Sequence, residues 1–285
     1  MFSELLKLRY NRSTTMLAAA AAFAVLLAGI VMLLIDPLLD ALIGLNDTIP
    51  NATNADSLDP ATRAALQPDS PGIIWLLANI TASSGGDLGV PIWCALIIGA
   101  VAATWEYRTG AIIPTTLAES RPWRVVAHKT AAVGAAVTAG SLALVAISAG
   151  LLVTARQVHD ATLPAWPDLL GNWLIGAVGL GLVAMLGTLI GFLIRSQLWT
   201  IIAIVAAGLL ETGLRQLSTL FSGDITVAQL LPFGLPADAL HSEAILGIEA
   251  QGLGAGAALI VLAGWVLVAA AAAVLTVSRR EPAIG

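Results

Sequence analysis

Few residues in this chain can do chemistry, and long apolar runs keep them apart. Glu211 and Arg215 stand four positions apart inside one such run, a spacing that sets both on one helix face within ion-pair reach. Counted from Gln197 at 1.5 Å per residue, Glu211 lies ~21 Å and Arg215 ~27 Å along the axis. In a hydrocarbon core of about 30 Å that is the outer third of the span. The pair is then either self-neutralised near the outer interface, or faces an outward cavity and touches substrate or a second protomer.

Soluble chemistries find no motif here. There is no G-x-x-x-x-G-K-[ST] phosphate loop, no H-E-x-x-H and no G-x-S-x-G elbow, so neither ATP binding through such a loop nor hydrolysis is expected of this chain. The three histidines, His128, His159 and His241, fall in different connectors. The single cysteine, Cys94, excludes an internal disulfide and a cysteine-rich metal site, and its apolar setting reads as a packed small side chain.

The remaining concentration of charge is Trp105 to Lys129, WEYRTGAIIPTTLAESRPWRVVAHK, a polar interruption with apolar runs close on both sides. It holds Arg108, Arg121, Arg124, His128 and Lys129 against Glu106 and Glu119. Thr109-Gly110 can end a helix, and Pro114 suits the first position of a short one continuing through Thr115 to Glu119. Trp123, Arg124 and Lys129 then anchor the next span at the inner interface.

The elements that position these groups follow from composition. Of 285 residues, 58% are apolar and 11% charged, whereas a soluble domain carries about 25% charged residues. Mean hydropathy is +0.90, and several runs reach the roughly 20 apolar residues that cross a bilayer. Strand-like alternation is absent, which argues against a barrel. The expected fold is therefore all-α and polytopic, one transmembrane domain of six helices at about 16–35, 88–105, 125–153, 170–194, 198–220 and 253–277.

Residues 1–12 form an amphipathic start, with Phe2, Leu5 and Leu6 on one face, read as an N-terminal interfacial helix. Residues 36–87 form a long outer loop with seven Asp against one cation, Arg63. Within it, Leu38 to Leu45 and Ile73 to Ile80 are apolar enough for short interfacial helices. Asn46, Asn51 and Asn79 each begin an N-x-[ST] triplet, a pattern common by chance. Arg195-Ser196-Gln197 is so short a connector that the fourth and fifth spans must form a hairpin. Residues 221–251 form a proline-broken outer segment. Gly187 and Gly191 make a G-x-x-x-G, as do Gly252 and Gly256, and ordinary packing within the chain explains both.

Six spans put both termini on one side. With the 106–124 loop inside, ten of the thirteen Lys and Arg fall inside and fourteen of the eighteen acids fall outside or near the outer face. That asymmetry is the positive-inside pattern, with cytoplasmic termini.

The residues Glu106-x-Arg108-x-Gly110-x-Ile112, Leu117, Ser120-Arg121-Pro122-x-Arg124 and Lys129 resemble the cytoplasmic loop of ABC-2 type transporter permeases. Ser3 to Arg9 is similar to that family's interfacial helix, and Leu231-Pro232-Phe233 to its leucine-proline element. Ala111 departs from the usual threonine, and Pro114 interrupts the following helix. The resemblance implies the membrane subunit of an ABC transporter in a bacterial plasma membrane, moving a hydrophobic or amphipathic cargo, with export the expected direction. Its partners would be two copies of an ABC ATP-binding subunit, a second permease protomer, identical or homologous, and the lipid bilayer, but no nucleic acid. ATP and Mg would belong to the ATP-binding subunit, with no cofactor in this chain. Glu106, Arg108, Thr109, Gly110, Glu119, Arg121 and Arg124 would couple to the ATPase. The rival readings are an ion-coupled secondary transporter and a non-transporting scaffold or sensor with an acidic outer loop.

The topology is directly testable. In a Cys94→Ala background, a cysteine at Thr115 is expected to react with an impermeant thiol reagent only in opened cells, and one at Ala55 in intact cells. The opposite pattern would invert the arrangement.

Overall fold

The computed structural model describes residues 12–35, 37–38, 41, 64–83, 88–110, 122–221, 227–240 and 253–279. These fold into α1 (Arg12–Leu33), α2 (Pro71–Leu77), α3 (Val90–Thr109), α4 (Pro122–His159), α5 (Trp166–Ile194), α6 (Gln197–Phe221), a 3-10 turn (Val227–Leu230), α7 (Leu235–Asp238) and α8 (Ala255–Arg279). No strand occurs among the described residues. Six helices, α1, α3, α4, α5, α6 and α8, are long and apolar enough to cross a membrane, so this is an all-helical, multi-pass membrane protein. The expected N-terminal interfacial helix lies outside the described residues.

The helices outlast the apolar runs that predict them. α3 continues through Glu106, Tyr107 and Arg108 and stops only where Gly110 takes the left-handed conformation, φ 71°. α4 begins at Pro122 and runs to His159, against an expected 125–153. The cause is that helix is the cheapest way to satisfy backbone on leaving hydrocarbon, so polar residues at the mouth of a span stay helical.

α5 is the axis of the bundle. In their most apolar windows α3 is 72% and α5 67% buried, against 22% for each of α1, α6 and α8, so these two form the centre and the others surround it. Lipid is as apolar as leucine, and helices in it are held by close packing rather than by expulsion from water. Small residues provide that here. A methyl group added at Gly99 of α3 would overlap the Ala184 carbonyl of α5, and one at Gly187 would overlap the Leu96 carbonyl of α3. Gly191 lies against Ala100 and Ala103. On another side of α5, Gly181 abuts Thr138 of α4, and Gly134 of α4 abuts Met185. The G-x-x-x-G of α5 is thus an intramolecular seam. The hairpin at Arg195 is present, and α6 then leans on α3, where Trp93 fills the space beside Gly208. Cys94 is buried and unpaired, as its setting predicts.

The 36–87 region is not solvent-facing loop throughout: Ile73 to Ile80, expected as a short interfacial helix, is buried, while the other such stretch, Leu38 to Leu45, lies largely outside the described residues. Ser70 caps α2, its Oγ accepting from the Ile73 amide at 3.4 Å, with Pro71 in the first turn. Ile73, Ile74, Leu77, Ala78 and Ile80 are all buried. The carbonyls at the end of α2, which a helix leaves unsatisfied, are met by the bundle: Ser148 of α4 donates to Leu77 O at 2.7 Å, and Trp173 Nε1 of α5 donates to Ala78 O at 3.1 Å. Asn79 closes the turn, its Oδ1 accepting from the Thr81 amide at 2.8 Å and its Nδ2 donating to Ser83 O at 3.0 Å. A buried amide engaged at both ends presents no acceptor for a glycan.

Gly99→Ala or Gly187→Ala is expected to lower the thermal unfolding midpoint in detergent, at an overpacking cost of ~1–3 kcal/mol. Gly213→Ala and Gly256→Ala, where an added methyl meets nothing within 4 Å, should leave the midpoint unchanged or higher. Equal effects at all four positions would mean that the seam does not hold the bundle.

Candidate functional site

One end of the bundle gathers most of the described cations, and its organiser is the last turn of α3. Glu106 lies only 3% exposed and pairs with Lys129 of α4, Oε1 to Nζ 2.7 Å. Tyr107 meets Phe192 of α5 edge-on, ring centroids 6.3 Å apart at 82°. Arg108 reaches Gln197, the first residue of α6, at 3.5 Å, and also lies 5.8 Å from the centre of the Trp105 ring. Three consecutive side chains therefore address three different helices. That fan follows from the 100° advance per residue of an α-helix, with Glu106 turned inward and Arg108 toward the exposed side.

Arg195 completes the arrangement. It caps α5 with φ +61°, in the left-handed region, a conformation that costs a residue bearing Cβ about 1–2 kcal/mol. Its guanidinium sits 5.7 Å from the centre of the Tyr107 ring, and its Nη2 donates to Thr276 O in the last turn of α8 at 3.2 Å.

At the opposite end, Glu211 and Arg215 are joined as their spacing predicts, Arg215 Nε to Glu211 Oε1 3.2 Å. They do more than neutralise each other. Arg215 Nη1 donates to Asp238 Oδ2 at 2.7 Å, and Nη2 donates to the carbonyls of Leu231 at 3.2 Å and Gln229 at 3.5 Å. The Glu211 carboxylate accepts from the amides of Phe233 at 3.0 Å and Gly234 at 2.7 Å. Trp265 of α8 donates to Leu230 O at 2.9 Å. Gly234 passes so close to the Arg215 guanidinium that a Cβ would collide with it.

This network explains how residues 227–240, only partly helical, pack into the bundle. Pro236 touches Gly179 of α5, which lies ~22 Å from the basic end, level with Glu211 at ~21 Å. Irregular backbone at membrane depth survives only where protein satisfies it, and the charged pair supplies the partners. The pair is ion-paired as the self-neutralised reading expects, and it also does more: Glu211 and Arg215 are 3% and 4% exposed and hold the 229–238 segment against α6.

Of the residues expected to contact a motor, Glu119 and Arg121 lie outside the described residues, as does the 111–121 stretch. Arg108, Thr109 and Gly110 are exposed at the end of α3, and Arg124 is half-buried beside Trp123, 5.6 Å from the ring centre. Glu106 is the exception. Its carboxylate faces Lys129, and Lys129, expected at the interface, is itself buried, so within this chain Glu106 joins α3 to α4. Reading by sequence missed Tyr107, Arg195 and Asp238. An arginine in a span with a single acid at i−4 has more donors than that acid can take, and that surplus was the available signal for Asp238. Among the described residues no group of His, Cys, Asp and Glu could hold a metal.

Arg215→Met is expected to destabilise the protein by ~3–5 kcal/mol, because it strands two buried carboxylates. Gly234→Ala should act in the same direction by displacing the guanidinium. Thermal unfolding and proteolysis between Val227 and Leu240 check this; a wild-type midpoint for both variants would contradict the role given to the network.

No family model, no curated protein and no solved structure matches the chain.

Proposed function

We propose that this protein is the membrane-spanning subunit of an ABC-2 type ABC transporter, carrying a hydrophobic or amphipathic cargo with energy from a separate ATP-binding subunit, in the direction of export. One observation supports this most: the turn Glu106-Tyr107-Arg108, which leads into the basic loop, holds α4, α5 and α6 through three successive side chains. A loop pushed by a soluble motor needs such an attachment, because force applied to a free connector would only bend it. With both loop stems joined by the Glu106–Lys129 pair, displacement of the loop becomes rigid-body movement of helices. On this reading the basic end is cytoplasmic, in keeping with the distribution of cations, and the membrane is a bacterial plasma membrane.

Ion-coupled transport is the second reading, favoured by Glu211, Arg215 and Asp238 within the membrane, where such carriers place their ion sites. Those groups are already engaged with one another and with backbone from 229–234, which leaves them poorly suited to alternate between loaded and empty states.

Co-expression with an ABC ATP-binding subunit, sought first among the neighbouring genes, should give a complex that hydrolyses ATP faster when cargo is present. Arg121→Ala, in the loop, and the paired replacement Glu106→Leu with Lys129→Met should assemble yet lose about tenfold of that stimulation, within the usual range of coupling between sites. Transport that needs a proton gradient and no ATPase would replace this reading with the second one.

A further inference from the structure

We infer that Arg195 is a positioning residue that fastens the end of α8 to the loop stem on α3. Its purpose rests on the function proposed above; the fastening itself does not. The backbone at this position is left-handed, φ +61°, where a helix cap ordinarily carries glycine or asparagine. An arginine there is strained for no benefit to the cap, so the reason for it must lie in the side chain. That side chain bridges two helices which share no extensive interface. Its guanidinium carbon lies over the Tyr107 ring of α3, 5.7 Å to the ring centre, while Nη2 donates to the Thr276 carbonyl of α8 at 3.2 Å. Thr276 is in the last turn of α8, where the carbonyls have no helical donor. Tyr107 is in turn held edge-on by Phe192, which gives the guanidinium a fixed surface. A broad planar cation spans the ring and the carbonyl together better than lysine does, a point charge on a flexible stem.

The consequence is mechanical. α8 packs on α4, α5 and α7, and Trp265 ties it to Leu230 at the re-entrant end. Arg195 adds a tie to α3 at the basic end. A shift of the α3 terminal turn is thereby passed to α8, and along α8 to the segment held by Arg215.

Spin labels on cysteines at Thr109 and Leu275, in a Cys94→Ala background, test the fastening in the detergent-purified chain without any ATPase. The distance distribution should be narrow, and should broaden in Arg195→Gly, Arg195→Asn and Arg195→Lys. Thermal midpoints of Arg195→Gly and Arg195→Asn should stay equal to or above the parent, since both accept the left-handed backbone. An unchanged distribution in Arg195→Gly and Arg195→Asn overturns the inference, and so does a large fall in both midpoints, which would make the side chain a fold determinant. In the assembled transporter Arg195→Gly should lose about tenfold of cargo-stimulated ATP hydrolysis. Broadening in a chain that binds no ABC ATP-binding subunit would uphold the fastening and remove the proposed function. An active complex with an undisturbed distribution would do the reverse.

Discussion

A charge in hydrocarbon must find an opposite charge or a backbone dipole, and at each end of this bundle that requirement joins parts of the chain that sequence keeps apart. At the basic end Glu106 and Lys129 close the two stems of a loop on each other. At the other end Arg215 gathers two carboxylates and two carbonyls around a segment that could not otherwise leave water. A buried ion pair is weak evidence for added stability, since desolvation offsets much of the attraction. What it gives is geometry, because separating the partners inside a low dielectric is far costlier than at a surface.

Between these two ends stands a seam with no charge. Glycines at 99, 187 and 191 let the α3 and α5 backbones approach until side chains larger than hydrogen do not fit. Such contact resists sliding and bending, so α3 and α5 form a shaft with attachments at both ends. Gly176 and Gly179 carry the re-entrant segments on the same helix, touching Ile80, Leu240 and Pro236. The upper attachments therefore report to the helix whose lower end is capped by Arg195. Peripheral α1 and α6 show large apolar faces, including Phe23, Leu209 and Leu210, as suits helices turned toward lipid.

Much of this was legible from residue types. Six spans follow from apolar run length, the α5 seam from G-x-x-x-G, and the Glu211–Arg215 contact from i, i+4 spacing. The short elements were not. Pro71 to Leu77 is seven residues of apolar chain, too short for any period to separate a buried helix from an interfacial one, and its burial depends on Ser148 and Trp173 far along the chain. Asp238 is 23 residues from Arg215 across a proline-broken stretch, so no repeat links them. Glu106 and Lys129 read as interface charges because each ends an apolar run, and only the fold shows that they face each other. Arg195 was counted as a turn residue, and its positive φ is invisible in a sequence that puts no glycine there.

The two loop stems act as one body only if Glu106 and Lys129 form a fixed joint and not a hinge. Replacing both by cysteine in a Cys94→Ala background and bridging them with a short bifunctional thiol reagent tests this most directly. If the chain is the permease proposed above and the stems move together, its bridged form, assembled with the ATP-binding subunit, keeps the cargo-stimulated ATP hydrolysis of the parent. If bridging abolishes it while an unbridged control with one cysteine stays active, the stems must part during the cycle, and the joint described here is the wrong one.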